Sequence, residues 1–348
     1  MSPLNRPNFG RTELHVPRIF FGTSAFGNLY QALSYEEKLE IAEEWFTHVD
    51  APVALDSAGK YGAGLALETL GKVLRELNRN QGDLVLSNKL GWLWVPLEGV
   101  EPSFEPGVWK DLEHDAVQDI SYDGIRRCWE QGCELLGEEY KPQLASVHDP
   151  DEYLGAAENE NERARRLEDI VDAYRALEEL KSSGSVRAIG VGAKDWRIIE
   201  ELTTHIDFDW VMFACSLTVF IHPGRLLELV RGLVEKNIAI VNSAIFNAGF
   251  LVGGDFFDYR KPDPVGDASL FSWREGFFDT CREYEVNPSE ACVEFSLSIP
   301  GVVSIAMNTS NPKRIKQNVE SLECKAPPEF WVTMKKRKLI DPDFPYLG

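Results

Sequence analysis

No run of about 18 or more apolar residues occurs in the 348-residue chain, so no membrane-spanning helix is expected. Positive charge is also scarce. Lysine and arginine number 36 against 56 aspartates and glutamates, giving a formal net charge of −20. Such a balance repels phosphate backbones and argues against nucleic acid as a partner. It leaves a bound dinucleotide open, because a few local cations and backbone amides suffice to hold one. Cysteine is sparse. The six, Cys128, Cys133, Cys215, Cys281, Cys292 and Cys324, include no C-x-x-C pair. Reduced thiols are therefore expected rather than disulfides or zinc ligands, and no metal site is read. The first residues, Met1-Ser2-Pro3-Leu4-Asn5-Arg6, lack the apolar core of a secretion signal, which makes the cytoplasm the expected location.

What is present is ordinary globular composition, with 44% hydrophobic and 26% charged residues. Apolar runs at 18–21, 53–55, 84–87, 144–147, 186–191, 210–213, 239–241 and 302–306 read as strands. Between them, helical patterns are read at 35–49, 65–77, 122–136, 162–181, 196–202, 223–236, 270–284, 288–298 and 312–322. In the clearest, Leu167, Ile170, Val171, Tyr174, Leu177 and Leu180 recur at helical spacing and Gly184 follows as a stop signal. Strands alternating with helices imply parallel pairing, and eight such units predict a closed (β/α)8 TIM barrel over residues 1–348 as one domain. Residues 8–16, with Gly10 in the middle, are expected to form a β-hairpin capping the barrel floor. Two long loops, 91–120 and 253–267, are expected to overhang the C-terminal face. Their aromatic residues, among them Trp92, Trp94, Trp109 and Tyr259, suit either stacking on a substrate or packing the loops onto the rim.

Catalytic groups of such barrels sit at the C-terminal ends of strands. Asp56, Lys89 and His148 end the second, third and fourth strand runs, and Tyr61 follows Asp56 by five residues. Neighbouring strands lie about 4.8 Å apart, so these side chains can converge. A phenol has an ordinary pKa of about 10, and a nearby ammonium is expected to lower it. The assignment that follows makes Tyr61 the proton donor or acceptor and Lys89 the group that tunes it. Asp56 then holds Lys89, and His148 bonds the substrate oxygen.

The segment Asp56-Ser57-Ala58-Gly59-Lys60-Tyr61-Gly62-Ala63-Gly64, with Glu68, Leu70 and Gly71, resembles the aldo-keto reductase signature. Ser87-Asn88-Lys89-Leu90-Gly91 and Val147-His148-Asp149-Pro150-Asp151 are similar to the lysine and histidine strands of that family. Ala176-Leu177-Glu178-Glu179-Leu180-Lys181, Ile189-Gly190-Val191-Gly192, and Pro312, Arg314-Ile315 and Asn318 extend the resemblance along nearly the whole chain. Ser121-Tyr122-Asp123-Gly124, Asp207-Phe208-Asp209, Phe246-Asn247-Ala248-Gly249-Phe250-Leu251 and Phe257-Asp258-Tyr259 look most like the branch of aldose dehydrogenases acting on L-fucose, L-galactose and D-threo-aldoses.

The resemblance implies a nicotinamide cofactor, no metal, and hydride transfer at a carbonyl or hydroxyl carbon of a sugar or aldehyde. Histidine at position 148, where members that reduce carbon–carbon double bonds carry glutamate, points to oxygen-bearing carbon. Candidate cofactor residues are Gly22, Thr23, Lys194, Ser243, Phe246, Asn247, Asn308, Thr309, Arg314 and Asn318; candidate substrate contacts are Trp92, Trp94 and His222. Three positions depart from the family pattern. Gly192-Ala193-Lys194 replaces the usual Ser-Asn, Met212 stands where a glutamine is common, and Ser243 aligns with a stacking tyrosine. The loop Met307-Asn308-Thr309-Ser310-Asn311 carries no cation, and Arg314 alone remains for a 2′-phosphate, which favours NAD over NADP. A cofactor-binding regulatory subunit with little catalysis stays open as the second reading. Oligomeric state is left undetermined.

Overall fold

The structure, a computed structural model, describes residues 6–348. Eight parallel strands close a barrel in the order β1 (Ile19–Gly22), β10 (Val302–Met307), β9 (Ala239–Ser243), β8 (Trp210–Ala214), β7 (Ala188–Ala193), β6 (Leu144–His148), β3 (Leu84–Leu90), β2 (Val53–Ala58). In chain order the elements begin with β1 (Ile19–Gly22), α1 (Tyr35–His48), β2 (Val53–Ala58), α2 (Leu65–Glu76) and β3 (Leu84–Leu90). β4 (Trp92–Pro96), β5 (His114–Gln118), α3 (Tyr122–Leu136), β6 (Leu144–His148) and α4 (Pro150–Gly155) follow. The second half holds α5 (Glu160–Ser182), β7 (Ala188–Ala193), α6 (Trp196–Leu202), β8 (Trp210–Ala214), α7 (Gly224–Glu235) and β9 (Ala239–Ser243). It ends with α8 (Ala268–Glu283), α9 (Pro288–Ser298), β10 (Val302–Met307), α10 (Lys313–Glu320) and α11 (Pro328–Lys336). The expected (β/α)8 TIM barrel is thus present.

Local chemistry sets several element ends. Ser34 closes a capping box with Glu37 at the start of α1, and Ser121 accepts from the Gly124 amide at the start of α3. Asn287 caps α9, with Pro288 at its first turn.

Alternation along the strands divides the core in two. Val53, Leu55, Leu84, Leu86, Val147, Ile189, Val211 and Ile240 point outward and are buried against the helices. Positions of the opposite parity, Phe20, Ala54, Val85, Leu144, Ala188, Trp210, Met212 and Val241, fill the barrel interior. Gly190 makes room for Trp210, since a Cβ there would lie 2.5 Å from its indole. The inward parity continues upward on β2, β3 and β6 to Asp56, Ser87, Lys89 and His148.

The expected 8–16 hairpin is present: Asn8 and His15 form an antiparallel bridge, and the segment seals the floor with Phe9, Leu14 and Val16. Two other expectations change. The 91–120 segment is not a plain loop: β4 and β5 pair antiparallel along it, from Trp92–Gln118 to Pro96–His114. The short α4 and the C-terminal α11 were also absent from the periodicity reading.

Candidate active site

Asp56, Lys89 and His148 are buried, and Tyr61 is half-buried. The Lys89 ammonium donates to Asp56 Oδ2, and Ser87 Oγ donates to Asp56 Oδ1 at 2.9 Å. Lys89 Nζ lies 4.7 Å from the Tyr61 ring centroid, and the His148 ring meets Tyr61 edge-on at 5.7 Å. The four side chains predicted from strand ends therefore come together.

Gly62 explains how Tyr61 reaches them. Its φ is +62°, in the left-handed region, and a Cβ there would fall 2.4 Å from the Gly27 carbonyl. The β2–α2 turn and the β1–α1 loop touch backbone to backbone at this point, which aims Tyr61 over the barrel axis.

The electrostatics correct one expectation. Burial raises the Tyr61 pKa above its ordinary value, and Lys89 only partly offsets this. The phenol is held protonated rather than ionised. For Lys89, burial disfavours the charge, but Asp56 and then Tyr61 outweigh it, so its pKa is raised and the ammonium persists. Burial, followed by the charges of Lys89 and Lys60, pushes His148 well below the usual histidine value. His148 is thus a neutral imidazole. Its Nδ1 is buried without a partner, and Nε2 lies 3.6 Å from Asp149 Oδ1.

A cavity of about 500 Å³ runs from Asp56 and Tyr61 across the barrel mouth to α10. Of the candidate cofactor residues, Gly22, Ser243, Phe246, Asn308, Thr309, Arg314 and Asn318 line it. Among the described lining residues Arg314 is the one cation. Met212 is in the wall as well, and the N-terminal turns of α9 and α10 contribute Asn287, Ser289, Arg314 and Gln317. An elongated, polar cleft with two helix N-termini on its wall fits a dinucleotide with its pyrophosphate toward free amides.

Other candidates lie elsewhere. Thr23 is fully buried behind the wall, donating to the Asp56 carbonyl and to Ser57 Oγ at 2.8 Å. Asn247 is also buried, donating to the Cys215 carbonyl and to Asp258. Lys194 turns away to Glu152 at 2.6 Å. His222 is consumed structurally: its Nδ1 pairs with the Thr218 carbonyl, its Nε2 accepts the Asp341 amide, and the stacked pair Phe295 and Phe344 packs against the ring. Trp92 packs on Phe104 and under Lys60, and Trp94 packs on His114, so both build the β4–β5 hairpin rather than the cavity.

Leu29 and Tyr30, not singled out from sequence, take wall positions, and of the loop aromatics offered for stacking or packing Tyr259 lines the cavity while Trp109 packs behind it. Leu29, Tyr30 and Tyr259 line the cavity beside Tyr61, and Trp109 covers the Tyr61 ring at 5.9 Å. Tyr30 stacks on Phe256 at 4.8 Å, joining the β1–α1 loop to the loop after β9. No local pattern signals these contacts, because each joins segments far apart in the chain.

The sequence profile of the Aldo/keto reductase family matches residues 18–337. The chain is 29% identical to a pyridoxal 4-dehydrogenase of Microbacterium luteolum, over 95% of this chain and 96% of that protein. It is 27% identical to a D-threo-aldose 1-dehydrogenase of a Pseudomonas species, over 96% and 98% respectively. Among solved structures, an aldo-keto reductase from Bacillus halodurans in its holo form superposes with a TM-score of 0.69 at 19% identity, covering 97% of both chains. The profile spans all eight barrel strands and the four clustered side chains. The chain belongs to the aldo/keto reductase family.

Proposed function

We infer that this protein is an NAD(P)-dependent oxidoreductase that moves a hydride between the nicotinamide and a carbonyl or hydroxyl carbon of a sugar or aldehyde. The observation that carries this reading is the cluster of half-buried Tyr61 with buried Lys89, Asp56 and His148, which opens on the cavity through Tyr61 and Asp56. The cofactor, when bound along that cavity, supplies or accepts the hydride. In reduction Tyr61 gives its proton to the substrate oxygen, and in oxidation it takes the hydroxyl proton back. Lys89 stabilises the phenolate left behind, and Asp56 and Ser87 fix the ammonium in place. The neutral His148 orients the same oxygen by hydrogen bonding. The aromatic wall of Tyr30 and Tyr259, with Trp109 packed against Tyr61, excludes water and suits a ring-shaped substrate. Two relatives named as dehydrogenases of pyridoxal and of an aldose support a cyclic aldehyde or hemiacetal. NAD is the favoured cofactor, because a 2′-phosphate dianion would find Arg314 as the cation in the lining.

The test is Tyr61→Phe assayed with aldoses, pyridoxal and simple aldehydes. A loss of turnover of about 10²–10⁴-fold is expected, with cofactor affinity unchanged by fluorescence titration. Turnover near wild type in the variant would remove Tyr61 from the proton step.

A further inference from the structure

Lys60, directly before Tyr61, is 4% exposed and bonds three carboxylates from two separate segments. Its Nζ lies 2.7 Å from Asp149 Oδ2, 2.9 Å from Glu105 Oε1 and 3.0 Å from Glu152 Oε2, and 4.6 Å from the Trp92 ring centroid. Burying an ammonium is costly unless it is paired and fully bonded, and here its three partners meet that demand. Asp149 is the residue after His148, and Glu105 sits in the excursion between β4 and β5. The other oxygen of Glu105 accepts Trp109 Nε1 at 2.7 Å. Trp109 in turn covers Tyr61 and bridges to Leu29, with the Tyr30 amide donating to the Val108 carbonyl at 2.8 Å and the Lys110 amide to the Asn28 carbonyl at 3.1 Å. One ammonium thus ties together the Tyr61 turn, the end of the His148 strand and the tip of the hairpin excursion.

We propose that Lys60 is a positioning residue that, through Glu105, holds Trp109 packed against Tyr61 and so sets the shape of the substrate end of the cavity and which substrates fit. This rests on the oxidoreductase reading above. The Lys60 side chain does not itself line the cavity. Through Glu105 it acts on the shape of the substrate end, and because its charge also bears on His148, Glu105→Ala is the variant that isolates the shape. Glu105 is about a third exposed (32%), so removing it leaves the barrel core intact.

The experiment compares wild type with Glu105→Ala and Lys60→Met by hydrogen exchange and by kinetics with an aldehyde panel. In Glu105→Ala, amide exchange at Tyr30 and Lys110 is expected to quicken about tenfold as the excursion loosens. KM should rise about fivefold or more with kcat within about twofold, the pattern of lost binding common to ground and transition states. Cofactor affinity should not change. Lys60→Met should show both effects more strongly. Unchanged exchange in Glu105→Ala overturns the clamp, whatever the enzyme's reaction. Faster exchange with unchanged KM overturns the specificity role. A lowered melting temperature in Lys60→Met, with exchange and KM as in wild type, reduces Lys60 to a structural part. If wild type itself turns over no aldehyde with either cofactor, the oxidoreductase reading fails while the exchange arm still decides the clamp.

Discussion

Two effects compete at Tyr61, and burial wins over the neighbouring ammonium. The sign of the pH dependence follows. In the proposed mechanism reduction uses the protonated phenol, which is the resting form through neutral pH, so its kcat/KM should stay flat from about pH 7 to 9. Oxidation needs the phenolate, whose fraction climbs about tenfold per pH unit below a pKa raised above about 10. Oxidative kcat/KM should therefore rise steadily through pH 9 without a plateau near neutrality. His148 adds a limb on the acid side, below the ordinary histidine range, because burial and the two lysines keep it neutral. A plateau in oxidation at pH 7 would contradict the raised phenol. Asp56, Lys89 and His148 were readable beforehand because a strand end and a period of two fix where a side chain points. The state of Tyr61 was not readable, since the Trp109 that covers it arrives from a separate hairpin about 50 residues on.

At the scale of elements, the segment Asp207-Phe208-Asp209 has a structural job. Asp209 is 1% exposed and accepts Lys181 Nζ at 2.5 Å, Arg11 Nε at 3.1 Å and the Ile189 amide at 2.9 Å. It pins the N-terminal bridge segment and the end of α5 to the bottoms of β7 and β8. Asp209→Ala leaves the buried Ile189 amide without its partner, while Arg11 and Lys181 are partly exposed to water and Arg11 keeps Asp207, so a cost of about 1–3 kcal/mol is expected. Urea denaturation measures this, and KM for the aldehyde should stay as in wild type because the cavity is at the opposite end of the barrel. A loss below about 1 kcal/mol would show that water satisfies the donors. The strands and most helices were legible from periodicity, since each buries a continuous face. The β4–β5 pair escaped because its strands are separated by a connection far longer than a hairpin turn, and Pro96 with the polar His114–Gln118 run blunts the strand pattern. The short α4 lies within a turn's worth of residues after His148, too few to show a repeat.

For the whole molecule, the charge balance bears on the cofactor. A net −20 on the chain repels the more anionic phosphorylated dinucleotide more strongly than NAD, and the cavity offers Arg314 against it. KM for NADP should exceed KM for NAD, with the gap widening at low ionic strength, where screening is weakest. Arg314→Ala should affect NADP more than NAD. A lower KM for NADP would overturn this preference. Among the described residues no helix is long and apolar enough to cross a membrane.

The closed strand order places β2, β3 and β6 together on one side of the barrel and β8, β9 and β10 on the other, with β7 and β1 at the seams. Tyr61 and its three partners come from the first half of the chain. Most of the elongated cleft, from Met212 to Asn318, comes from the second. Neither half holds a complete site. Severing the chain near Gly184, an open turn after α5, would yield two inert fragments. Their recovery of turnover on mixing would report that the ring of strands has shut, so activity itself becomes an assay for assembly of the fold.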